Sequence, residues 1–262
     1  MIIHTGFVDL DTPTGPMRTH VYAPALPTGT ARYPGLLLYP EIYQQTGPIV
    51  RLSQQLAGHG YVVMAPEIYH EHEPPGTVLA YDKAGTDKGN AYKAATTLAT
   101  FDHDAAVVIR ALGAHPACNG RIGAVGVCLG GHLAFRAALQ SQVLAAACFY
   151  ATDLQGGILA GGTCVDTLAR TRDIRGELLL VWAARTPTSP MARAPASTRP
   201  SSPPARRSPG TSSTPSTPSC ATRDRATTPR PRASPWVSRS RSSSARSDLH
   251  PWDTAWAGGS FE

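Results

Sequence analysis

The sequence predicts an α/β fold with a doubly wound, mostly parallel sheet, confined to residues 1–185. Three observations predict it. Short, continuous apolar runs recur along the chain, as in strands buried on both faces. Amphipathic helical patterns lie between them. Both patterns stop at Arg185, where the composition changes abruptly.

The first two elements read as an antiparallel hairpin. Phe7–Asp11 and Arg18–Ala23 flank a Thr-Pro-Thr-Gly-Pro turn. Five apolar runs follow: Gly35–Tyr39, Tyr61–Ala65, Ile122–Val127, Ala145–Tyr150 and Leu178–Trp182. Between them, Pro48–His59 places Ile49, Leu52 and Leu56 at helical spacing, and Gly60 stops it. Asp102–Gly113 gathers Ala105, Val108, Ile109 and Leu112 on one face, with Asp102-His103-Asp104 as the expected helix start, where acids suit the dipole. Gly130–Gln140 follows the third of those runs directly.

From Thr186 to Ser247, 48 of 62 residues are Ser, Thr, Pro or Arg. Such a segment is expected not to fold, because it has too little apolar surface to offset its chain entropy. It also holds the charge. Residues 1–185 carry 13 Lys/Arg against 14 Asp/Glu, whereas residues 186–262 carry 11 Arg, no Lys and 4 acids. The net charge of +6 therefore says nothing about the folded part. Cys118, Cys128, Cys148, Cys164 and Cys220 form no CxxC pair, which suggests reduced thiols in a cytoplasmic protein. Neither a signal peptide nor a membrane-length apolar run is visible.

Chemistry concentrates at Gly126-Val127-Cys128-Leu129-Gly130-Gly131, which joins a strand to a helix. This is the context of a G-x-nucleophile-x-G elbow. The helix N-terminus would favour the Cys128 thiolate, and the Leu129 N–H would face a developing oxyanion. On the hexapeptide alone, a buried structural cysteine is an equal alternative.

The surrounding residues resemble the dienelactone hydrolases (carboxymethylenebutenolidases), which have the α/β-hydrolase fold. The elbow matches, as do Glu41-Ile42-Tyr43 after the run LLLYP, Ala65-Pro66-Glu67-Ile68-Tyr69, Pro75-Gly76-Thr77 and Ala91-Tyr92-Lys93. The resemblance covers residues 1–185. It implies an ester or lactone hydrolase acting on a small molecule, with Cys128 as nucleophile and Glu41 touching the resting thiol and helping to form thiolate. It further implies Ile42 and Leu129 N–H groups as oxyanion donors, and Tyr92 as a substrate-binding residue. Where the family carries an arginine for a substrate carboxylate, this chain has Lys88, which pairs without a bidentate fork. No metal and no organic cofactor is expected, nor nucleic acid or membrane as partner. The chain is expected to be a monomer or weak oligomer.

A cysteine hydrolase of this fold also needs a histidine base and an acid that orients it, both after the nucleophile. After Trp182 the chain reads AARTPTSP, with no acid, and the only later histidine is His250. A one-base frame shift accounts for this. The family's Asp-Pro-His-Val-Pro run, written GAC CCC CAC GTC CCN and read one base late, gives Thr-Pro-Thr-Ser-Pro, which is Thr186 to Pro190. The run Gln-His-Ala-Phe-Met-Arg-Asp-Glu, read one base late, gives Ser-Thr-Pro-Ser-Cys-Ala-Thr-Arg, which is Ser216 to Arg223. The hidden aspartate falls at Thr186 and the hidden histidine at Thr217, a separation that suits the family. The literal chain is therefore expected to have little activity and to express as unstable or insoluble protein.

Three other features carry weaker alternatives. Glu67, His70, Glu71, His72 and Glu73 could hold a metal, but alternating loop residues usually point apart. Gly156, Gly157, Gly161 and Gly162 lack a strand-to-helix context and read as loop. The Arg/Ser/Pro tail also permits an inactive hydrolase carrying a basic, disordered RNA-binding or scaffold segment, although it has few aromatics for base stacking.

Overall fold

The structure is a computed structural model that describes residues 1–25, 31–161, 163–164 and 167–182. The Ser/Thr/Pro/Arg-rich segment, Thr186 and Thr217 all lie outside the described residues.

The hairpin is β1 (Ile3–Thr12) and β2 (Gly15–Pro24), paired antiparallel over their whole length. The apolar runs become β3 (Tyr33–Tyr39), β4 (Val62–Pro66), β5 (Cys118–Val127), β6 (Val143–Phe149) and, later in the chain, β9 (Glu177–Val181). The short β7 (Ile158–Leu159) and β8 (Thr163–Cys164) form a separate two-stranded ladder. The main sheet has the order β1-β2-β4-β3-β5-β6-β9, and its pairings from β4 onward are parallel. The family-type α/β-hydrolase architecture anticipated for residues 1–185 is thus present, within the described residues, up to β9.

Helix α1 (Gly47–Gly58) lies against β2 and β4. There Ile49 and Ala57 pack with Tyr22, Leu38, Val63 and Ala65. Gly60, at φ +89, adopts the left-handed turn that ends this helix. Helix α3 (Leu98–Ala114) and helix α4 (Leu129–Ala137) pack against β3 and β5, and against each other. Helix α3 begins four residues before the expected Asp102, because the Thr97 hydroxyl accepts the Thr100 N–H at 3.1 Å and caps it there. Asp102 instead takes a bidentate contact from Arg136 of α4, at 2.9 and 2.6 Å, and Asp104 is buried.

Helix α2 (Lys83–Ala95) has no counterpart in the apolar pattern. Its buried residues are glycines, Gly85 and Gly89, so it carries no apolar stripe for periodicity to detect. The Asp82 carboxylate caps it by accepting the Gly85 N–H at 2.7 Å. The glycines let it approach neighbouring backbone closely. A Cβ at Gly89 would lie 2.5 Å from the Ile42 carbonyl oxygen.

An apolar cavity of about 810 Å³ lies on the sheet beside β9, lined by Leu36, Val125, Leu144 and Leu179 among others. It opens on the beginnings of the parallel strands, whereas the elbow stands at their carboxyl ends, so it is separate from the chemistry described next. Leu144 and Leu179 are exposed there.

Burial of titratable groups makes the fold acid-sensitive. His132 and His115 are each pushed down to about 4 by burial. Both stay neutral in the fold, while the unfolded chain protonates them as pH falls through about 6.5. Asp104 opposes this: burial, aided by Glu71, pushes it up to about 7, so the fold holds a proton there that the unfolded chain releases above about 4. His70 is lowered by burial as well, so the unfolded chain carries at least about one extra proton between about pH 4 and 6.5. Stability should therefore fall by at least about 1.4 kcal/mol per pH unit of acidification across that window. Urea midpoints at pH 6.5 and 4.5 check it, and Asp104→Asn should steepen the loss. An acid midpoint at or above the neutral one would contradict it.

Candidate active site

The elbow is built by close backbone approach. Cys128 links β5 to α4 at φ 59°, ψ −120°, a conformation that non-glycine residues rarely adopt. Strain of this kind costs on the order of 1–3 kcal/mol and persists only where the surroundings fix it. Here the Cys128 N–H donates to the Phe149 carbonyl at 2.9 Å, and the Cys128 carbonyl accepts from Gly131 N at 3.0 Å and Thr152 N at 3.2 Å. Glycine is needed on both sides. A Cβ at Gly126 would overlap the Gly130 carbonyl, and one at Gly130 would lie 2.5 Å from the Tyr39 carbonyl oxygen.

The sulfur is partly buried, beside the Leu129 N–H, and the thiol donates a long contact of 4.0 Å to Thr152 Oγ1. Burial pushes the Cys128 thiol above its ordinary range, and the Glu41 charge adds to this. The Leu129 amide, the Thr152 hydroxyl and Lys93 pull the other way without prevailing. The thiolate anticipated from the helix terminus is therefore not the resting form, because loss of hydration outweighs the amide. Cys118, Cys128 and Cys148 are free.

Glu41 follows β3 and so stands, with Cys128, at the carboxyl edge of the sheet. Its carboxylate makes no hydrogen bond to the resting thiol, where the resemblance implies a contact. It accepts instead from the Tyr81 hydroxyl, whose oxygen in turn accepts from the Thr46 hydroxyl at 2.9 Å. Tyr81 packs on Tyr43, with ring centroids 4.5 Å apart, and Tyr43 Oη lies 2.8 Å from Thr86 Oγ1. These contacts tie the loop after β3 to the start of α2. Ile42, the second expected oxyanion donor, is buried in this loop against Gly89.

Lys88 and Tyr92 lie one turn apart on α2 and meet on one carboxylate. Tyr92 Oη donates to Glu73 Oε1 at 2.6 Å, and Lys88 forms an ion pair with the same oxygen. The His72 ring stacks on Tyr92 at 4.9 Å, and the Tyr69 ring meets Tyr92 edge-on at 5.4 Å. The other members of the acidic and histidine cluster turn elsewhere. Buried Glu67 binds His20 Nε2 at 2.8 Å and the Gly76 N–H, while His70 faces Asp104 at 3.7 Å. Among the described residues no group of three or more such side chains is placed to hold a metal ion.

His132 lies one turn into α4 from Cys128, yet it is locked. Its Nδ1–H donates to the Thr152 carbonyl at 3.1 Å, so Nε2 accepts from the Thr167 hydroxyl at 3.1 Å, and Arg136 donates to that hydroxyl at 2.9 Å. Both ring nitrogens serve this network, and neither is open to the nucleophile. The positions where the acid and base would follow β9 lie beyond Trp182, outside the described residues.

Thr152 and Tyr81 carry no motif of their own in the sequence. Each reaches the site through a loop that only the fold brings to the sheet edge.

Comparison with known proteins gives a consistent picture. The model of the dienelactone hydrolase family matches residues 17–195. A provisionally named carboxymethylenebutenolidase of Saccharomyces cerevisiae is 42% identical over 200 residues, covering 74% of this chain and 73% of that protein. The carboxymethylenebutenolidase of Pseudomonas putida is 31% identical over 127 residues, 47% of this chain and 52% of that protein. Among solved structures, a provisionally named dienelactone hydrolase from Klebsiella pneumoniae superposes with TM-score 0.52 at 19% identity, over 69% of this chain and 85% of that one. The solved structure shares the fold.

Proposed function

This chain belongs to the dienelactone hydrolase family, and on that premise we propose that it is built to cleave an ester or lactone through Cys128. The observation that carries the reading is the strained elbow. Cys128 is held at φ 59° on the strand-to-helix turn, with the Leu129 N–H beside its sulfur.

In this reading the Cys128 sulfur attacks the substrate carbonyl carbon. The oxyanion is held by the Leu129 and Ile42 N–H groups. The carbon–oxygen bond breaks as a histidine protonates the leaving oxygen, and water then attacks the thioester to release the acid and return the thiol. Because burial keeps Cys128 protonated at rest, a base is required at the first step. Glu41 serves as the base that accepts that proton, or as its gate, once it leaves Tyr81. Tyr92 and Lys88 line the substrate side. The substrate is a small ester or lactone, and the protein acts in the cytoplasm as a monomer or weak oligomer. Among the described residues no helix is long and apolar enough to cross a membrane.

The base and its orienting acid are not written in this chain. We place them in the shifted reading frame, at the codons now read as Thr186 and Thr217. A strand and an amphipathic helix after β9 would also cover Leu144 and Leu179. Turnover by the chain as written should be low, and restoring the frame near the codons for residues 180–185 should give a soluble esterase active on p-nitrophenyl esters. DNA resequencing decides the matter. An intact frame there, with no Asp-Pro-His-Val-Pro in the alternative frame, would sink this part of the proposal.

A further inference from the structure

Helix α2 carries Lys83, Lys88 and Lys93, and each is paired internally: Lys83 with Asp87, Lys88 with Glu73, and Lys93 with Asp153 at 2.6 Å. The first pair is a surface contact within one helix. The other two reach to loops at the sheet edge, and their carboxylates are the less exposed partner only in the case of Glu73, at 9% against 48% for Lys88. Glu73 therefore sits inside the cluster, and Lys88 closes over it from solvent. Tyr92 donates to the same oxygen. The stacked His72 and the edge-on Tyr69 wall the tyrosine in, and Tyr69 is anchored to α2 by its hydroxyl on the Gly89 carbonyl at 2.9 Å. Gly89 in turn packs on the Ile42 carbonyl, so this cluster adjoins the loop after β3 at the sheet edge where Cys128 stands.

We propose that Glu73 is a built-in counter-ion that fills the anion-binding position formed by Lys88 and Tyr92, and so directs this protein toward uncharged esters or lactones and away from carboxylate-bearing ones. This rests on the reading that Cys128 is the nucleophile and that Lys88 and Tyr92 line its cleft. The physical reason is occupancy. A substrate carboxylate could reach these two donors only by displacing Glu73, leaving a nearly buried carboxylate without partners beside a second negative charge. Unpaired burial and like-charge contact both oppose that exchange. Lys93 gives no alternative, since Asp153 holds it.

The test needs no turnover. Cys128 in the full chain is alkylated in parallel with iodoacetate, which is anionic, and iodoacetamide, which is neutral. In both reactions the sulfur–carbon bond forms as iodide leaves, and labelling is located by peptide mass spectrometry. The ratio of the two rates reports charge preference and cancels differences in thiol reactivity. In Glu73→Gln the iodoacetate-to-iodoacetamide ratio should rise roughly three- to tenfold at low salt, and the gain should shrink as salt is added. Lys88→Met, which leaves Glu73 without its cation, should move the ratio the other way. Ratios unchanged in both variants, with Cys128 still labelled, overturn the counter-ion role alone. If neither reagent labels Cys128 in the parent chain or in either variant, the nucleophile reading falls as well.

Discussion

With alanine in place of Cys128, the frame-restored protein is expected to lose ester turnover by about 10⁴-fold or more, with its fold intact. The size follows from the division of labour at the site. The Leu129 and Ile42 amides can polarise a carbonyl, but only the Cys128 sulfur can form the covalent intermediate. Stability should change little, because the strained φ 59° is enforced by backbone bonds to Phe149, Gly131 and Thr152 that alanine keeps. The measurement is kcat/KM on a p-nitrophenyl ester together with a urea midpoint. Retained turnover in Cys128→Ala would assign the chemistry to another group.

The largest effect on folding is expected at Gly126. A methyl group there would overlap the Gly130 carbonyl, which belongs to the first turn of α4 and cannot shift without moving the elbow. Gly130 is pinned in turn against the Tyr39 and Pro40 carbonyls at the end of β3. The neighbours are backbone rather than flexible side-chain ends, so Gly126→Ala should cost about 4 kcal/mol or more, or prevent soluble expression. A urea midpoint within error of the parent protein would show that the turn is looser than these contacts require.

Much of this architecture is legible from apolar pattern, because the core strands are buried on both faces and leave unbroken runs such as Leu36–Leu38 and Val62–Ala65. The hairpin is legible from its turn residues. Helix α2 is not, since it docks through Gly85 and Gly89 and leaves its polar side chains to make the contacts. The start of α3 departs from the pattern for a related reason. Acids early in a helix suit the dipole, but Asp102 and Asp104 answer to Arg136 and to burial, and Thr97 sets the boundary. At the site, the elbow and the turn after β3 single out Cys128, Glu41 and Ile42 as candidates. The protonation of the thiol cannot, because burial is a property of the packed molecule. Nor can the attachment of Glu41 to Tyr81, or of Lys88 and Tyr92 to Glu73, since these bonds join a loop to a helix that periodicity does not reveal.

The central claim, that Cys128 is the acyl acceptor, is tested most directly by treating the full chain as it stands with p-nitrophenyl acetate at alkaline pH, where thiolate forms. One equivalent of p-nitrophenolate should be released, with a single acetyl group on the peptide that carries Cys128, and both should vanish in Cys128→Ala. An acetyl group on any other residue, or an equal burst from Cys128→Ala, would contradict the account.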